Sequence, residues 1–100
     1  MRPPPGPTGW MIGILVELPD EIGPVRHFFA VGQEDRARAE WAAVDQAMLV
    51  GPVATSPYRG EEPVKAVRQL TAKAVAGLGL RPGVVVPLGR IWPRRWIGSP

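Results

Sequence analysis

The sequence predicts a small two-layer α+β domain: a mainly antiparallel sheet, made of a β-hairpin plus one or two edge strands, packed by one long helix and one or two shorter helices. Three observations carry that expectation. Two apolar runs, residues 10–18 and 25–31, flank a short turn crowded with breakers. Residues 33–50 repeat apolar side chains at helical spacing. A β-branched run, residues 84–90, follows a Pro-Gly turn late in the chain.

One hundred residues suffice for one domain with a single modest core. A hydrophobic content of 45% separates the chain from the disordered class, and thirteen prolines with twelve glycines call for short elements and many turns. The absence of cysteine excludes disulfides and thiolate metal sites, and fits a reducing, cytoplasmic compartment. No apolar run approaches the roughly 18 residues that span a bilayer. Arg2 is followed by prolines and glycines, not by a secretory apolar segment.

Residues 1–9, MRPPPGPTG, read as a flexible, polyproline-like leader, with Met11 as an alternative start. Residues 10–91 make the domain, and 92–100 a basic Trp/Arg/Pro tail. In the first strand Ile12, Ile14, Val16 and Leu18 share one face, while Met11, Leu15 and Glu17 share the other. In the second, Val25, His27, Phe29 and Val31 alternate with Arg26, Phe28 and Ala30. The short connection pairs the two strands as an antiparallel hairpin.

The helix at 33–50 places Ala37, Trp41, Val44 and Met48 on one stripe, at steps of four, three and four. That stripe is expected to press on Ile12, Ile14, Val16, Val25, Phe29 and Val31. Trp41→Ala is accordingly expected to cost more than about 2 kcal/mol. Ala39, Ala42, Ala43 and Val50 on the far side read as high-propensity filler. Glu34 and Asp35 suit the helix N-terminus, Glu34 with Arg38 suits an ion pair, and Gly51-Pro52 a left-handed stop.

Farther on, residues 53–56 predict a short edge strand and 58–60 a loop. Glu61-Glu62-Pro63 predicts a second helix start, running through Val64, Val67 and Leu70. Thr71 is expected to cap a short turn, 72–76, broken by Gly77 and Gly79. Pro87 cannot donate to a ladder, so the last strand belongs at an edge or carries a bulge.

The chemistry-bearing residues are few. His27 is the only histidine, so one chain holds no histidine-pair metal site. As a general base it would look to Glu17 on the neighbouring strand; structurally it sits at a core margin. Glu40 and Asp45 do not converge on one helix face, and Glu61 and Glu62 are explained by the helix start. Thr55, Ser56, Tyr58 and Arg59 read as ordinary loop chemistry. No motif implies a cofactor.

Charge is uneven. Residues 1–50 hold four arginines against seven acids, net −3; residues 51–100 hold eight basic residues against two acids, net +6. Arginine outnumbers lysine ten to two, in keeping with a GC-rich coding bias. The densest segment is Arg90, Trp92, Arg94, Arg95 and Trp96. Its indoles and guanidiniums suit anchoring on the sheet, docking to a protein, stacking and phosphate contact with nucleic acid, or, last, an anionic membrane surface. The leading expectation is a non-catalytic accessory or protein-interaction domain, with a protein partner or self-association. A nucleic-acid-binding module is the alternative, and an enzyme centred on His27 and Glu17 comes third.

Overall fold

Alternating apolar side chains build the centre of the sheet. The computed structural model describes residues 8–90. In chain order they form β1 (Gly9–Val16), β2 (Val25–Val31), α1 (Arg36–Ala47), β3 (Val64–Leu70), α2 (Ala72–Gly77) and β4 (Val85–Gly89). The strands pair antiparallel in the order β3-β1-β2-β4, so the hairpin is central and the later strands are its edges. This is the α+β fold that the patterning predicts. Leader residues 1–7 and the tail beyond Arg90 lie outside the described residues; Gly9 and Trp10 belong to β1.

The sheet's two faces follow from parity. Ile12, Ile14, Val16, Phe29 and Val31 pack beneath α1. Met11, Ala30 and Leu70 pack on the other face with Ala74, Val75 and Leu80, so α2 closes one end of it.

α1 lies where expected, but it is rotated. Ala39, Ala43 and Ala47 are the residues it buries, whereas Trp41 is 71% exposed and Met48 62% exposed. Ala37, Trp41 and Met48 of the expected core stripe therefore face outward while Val44 is half-buried against the core, and Ala39 and Ala43 from the expected filler join Ala47 as the packing face, with Val50 exposed. The reason is volume. The sheet already supplies the bulky side chains of Ile12, Ile14, Val16, Phe29 and Val31, and methyl groups let the helix approach closely enough to reach interior density. An indole there would hold the two layers apart.

Both ends of α1 also differ in detail. Asp35 is the N-cap, accepting from the Arg38 N–H at 2.9 Å. The ion pair along the helix is Arg36–Glu40 at 3.8 Å, not Glu34–Arg38, because Glu34 precedes the cap. Trp10 Nε1 donates to the Glu34 carbonyl at 2.9 Å and ties β1 to the helix entry. Gly51 does not take a positive φ. Its smallness serves packing, since a Cβ there would lie 2.9 Å from the Glu17 carbonyl oxygen.

The expected second helix is instead β3. Ile12 pairs with Ala66 and Met11 with Arg68, which leaves Val67 as an extra, bulged residue. The bulge explains the misleading spacing. Val64 and Ala66 face the α1 core, then Val67 and Leu70 face the other one. A period of three thus arises from a strand that changes sides. Residues 53–56 contribute a single bridge, Val16 to Val53, with the Ala54 N–H donating to the Leu15 carbonyl at 2.9 Å.

α2 is capped by Thr71, whose Oγ1 accepts from the Ala74 N–H at 3.1 Å. β4 follows a turn with Gly83 at φ 79. It is an edge strand, and its register shift leaves Leu88 unpaired between Pro87 and Gly89. Pro87 therefore has both features its missing N–H demands.

Candidate functional site

Arg90 is the one member of the tail cluster within the described residues. Its Nη1 donates to Glu21 Oε1 at 2.7 Å, pinning the end of β4 to the hairpin turn. Trp92, Arg94, Arg95 and Trp96 lie outside the described residues.

His27 and Glu17 are not brought together. His27 pairs with Ile14 and shares the α1 face, whereas Glu17 continues the opposite parity beyond the last paired residue, Val16. The imidazole Nε2 is buried and has no hydrogen-bond partner among the described residues. Burial lowers the His27 pKa, and the nearby positive charge of Arg90 lowers it further. His27 thus sits at a core margin with its pKa lowered, and among the described residues its buried Nε2 meets no carboxylate. Among the described residues, no group of three acidic or imidazole side chains is placed to hold a metal.

The outer face of α1 is a different matter. Ala37, Trp41 and Met48 run along it with half-buried Val44 at its inner edge, and Leu49, 80% exposed, follows past the helix end. Beside Trp41 lies a notch of about 290 Å³ lined by Ala37, Glu40, Trp41, Val44 and Val64. Its floor is apolar and its edge carries one carboxylate, which Arg36 neutralises. Arg38 and Asp45, both exposed, stand together on the opposite flank of the ridge, two turns apart. Sequence reasoning picked out this stripe but turned it inward. The discriminating signal was the run of alanines at 39, 43 and 47, which a close helix–sheet contact requires.

A second cleft lies on the far face of the sheet, between β1, β2, β3 and the turn at 58–61. In that turn Tyr58 and Glu61 exchange both backbone hydrogen bonds at 2.9 Å, and Arg59 and Gly60 take φ 51 and 80. This is the geometry of a two-residue type I′ hairpin loop. Arg59 stacks on the Tyr58 ring, 5.3 Å from its centroid. The loop expected at this place is thus a tight hairpin.

No protein-family model matches the chain, and neither a curated protein nor a solved structure matches it. Among the described residues, no helix is long and apolar enough to cross a membrane.

Proposed function

We propose that this chain is a non-catalytic protein-interaction domain that self-associates through the outer face of α1, and that it works in the reducing cytoplasm its lack of cysteine suits. The observation that carries this reading is the exposure of Trp41, Met48 and Leu49 along one continuous ridge. Tryptophan is strongly enriched at binding hot spots, and neighbouring large apolar side chains left in solvent are the material of an interaction site.

The ridge is complementary to itself, which favours a second copy as the occupant. Two α1 helices laid antiparallel about a two-fold axis set Trp41 against Val44 of the second copy, and Ala37 against its Met48. Each contact matches a large side chain with a small one, and the notch beside Ala37 accepts the methionine. The same axis brings like flanks together. In that register Arg38 stands about 3 Å of helix rise from the level of Asp45 of the second copy, within reach of its guanidinium, so the flank is attractive where a like-charged flank would repel.

Sedimentation equilibrium from low micromolar to millimolar concentration tests the reading. A reversible dimer is expected, lost in Met48→Glu. Arg38→Asp and Asp45→Arg each weaken it, and the double charge swap restores it. A monomer throughout, or a dimer indifferent to both the swap and Met48→Glu, overturns the proposal.

A further inference from the structure

Among the described residues, the face of the sheet turned away from α1 is closed at one end by α2 and open at the other. The open end is a cleft of about 470 Å³, within the range of small-ligand sites. Its floor is Leu15, Phe28 and Val67, and its rim carries Arg26, Arg59, Lys65 and one acid, Glu61. Pairing register explains the assembly. Gly13 stands opposite Phe28 on one side and Lys65 on the other. A Cβ on Gly13 would lie 2.7 Å from Arg26 Cδ, so glycine lets Arg26 lie flat across the strand.

The rim is short of negative charge. Arg26 Nη1 donates to the Gly13 carbonyl at 3.0 Å, and Nη2 to Glu61 Oε2 at 3.2 Å. Lys65 Nζ reaches that same oxygen at 3.8 Å, so two cations share one carboxylate oxygen. Among the described residues, Arg59 meets only the Tyr58 ring. It also stands at φ 51, the left-handed conformation that Asn, Asp or Gly takes far more readily at this turn position. A non-glycine residue held there against its preference, with its donors at the mouth of a cleft, is the kind of outlier that clusters at ligand clamps.

We infer that this cleft binds a small organic anion with a flat apolar body, an aryl carboxylate in chemical class. The carboxylate meets Arg59 and Lys65, and the body lies on Leu15, Val67 and the Phe28 ring. Charge-assisted bonds to guanidinium and ammonium fix the anion, while the apolar floor selects against inorganic anions. A nucleic-acid backbone would use the cations but has no call on the floor.

The probe is 1-naphthoate, titrated into the ¹⁵N-labelled full chain and followed by amide shifts. The chain carries Met48→Glu to keep it monomeric, so that this test does not depend on the α1 interface. Saturable shifts are expected at Gly13, Leu15, Phe28, Val67 and the turn at 58–61. The neutral 1-naphthalenemethanol is expected to bind about tenfold more weakly, and inorganic phosphate without saturation. Arg59→Asn is the decisive variant. It supplies the preferred Asn-Gly turn, so its thermal midpoint rises while naphthoate affinity falls about fivefold. Lys65→Gln gives an independent loss of affinity at an exposed position. Absence of saturable shifts, equal binding of the neutral alcohol, or unchanged affinity in both variants overturns the inference.

Discussion

Replacing Ala43 with leucine and, separately, Trp41 with alanine asks which face of α1 meets the sheet. Ala43 is fully buried between Ala39 and Ala47, against a floor of Ile12, Ile14 and Phe29. Leucine adds three carbons to a contact that closes on methyl groups. Overpacking of that kind costs about 1–3 kcal/mol, and the rigid sheet beneath puts this site at the upper end. Trp41 is 71% exposed. A fully buried indole removes about 150–250 Å² from water, so the hidden remainder here is roughly 60 Å². At about 25 cal/mol per Å² that is worth about 1.5 kcal/mol. Alanine recovers about 0.5 kcal/mol through helix propensity, leaving a net loss near 1 kcal/mol. Urea denaturation followed by far-ultraviolet circular dichroism reads both changes. It is run at low micromolar concentration, because an interface on Trp41 would otherwise add mass-action stability. A loss above about 3 kcal/mol for Trp41→Ala, the scale of a core tryptophan, with Ala43→Leu unchanged, would refute the packing face.

Three further substitutions probe the rest of the fold. Gly32→Ala places a Cβ against the Arg81 carbonyl, at a point where Gly32 also exchanges backbone hydrogen bonds with Gly83 and Val84. It should lower stability by more than about 2 kcal/mol in the same urea assay. His27 has its pKa lowered by burial and by Arg90. Below the ordinary value of 6.5 the unfolded chain therefore binds the proton first. His27's contribution is complete above that pH and is lost as pH falls through the lowered folded value. His27→Leu should flatten this part of the decline in thermal midpoint from neutrality to about pH 5. Thr71→Ala removes the Oγ1 that caps α2 and should cost about 1 kcal/mol, read as a lower thermal midpoint.

What the sequence makes legible depends on whether one strand or helix decides the question alone. β1 and β2 read correctly because alternation needs no knowledge of the partner, and Pro87 declares an edge because its nitrogen has nothing to donate. The face of α1 is a different kind of question. Hydrophobicity ranks Trp41 and Met48 above Ala39 and Ala43, yet the volume already present on Ile12, Ile14 and Phe29 decides the matter. That volume belongs to other elements. β3 fails for a related reason: the bulge at Val67 is a property of its pairing with β1, and without it Val64, Val67 and Leu70 present a helical period. The cleft is the least legible feature. Arg26, Arg59 and Lys65 come from three elements and meet only through the register that sets Gly13 between Phe28 and Lys65.

The two proposed surfaces stand on opposite faces of the same sheet, and β3 is the element they share. Val64 lines the notch beside Trp41, whereas Lys65 and Val67 line the cleft. Alternation separates neighbouring side chains by the full thickness of the sheet, so a change at either surface removes no atom from the other. The bulge at Val67 adds a further side chain to the cleft face without moving Val64 off the helix face. The strand thus serves an α1 interface and a charged cleft at once. Deleting Val67 would set Ala66 directly beside Arg68, and these two already pair with the neighbouring residues Ile12 and Met11, so the ladder becomes regular and both halves of β3 keep their faces. Val64 and Ala66 stay on the α1 core and Lys65 on the cleft, which loses only the Val67 side chain from its lining. The deletion is therefore expected to weaken naphthoate binding while the chain still folds and dimerises, whereas Met48→Glu removes the dimer and leaves the cleft. Loss of the dimer together with naphthoate binding in the Val67 deletion would refute this separation of the two faces.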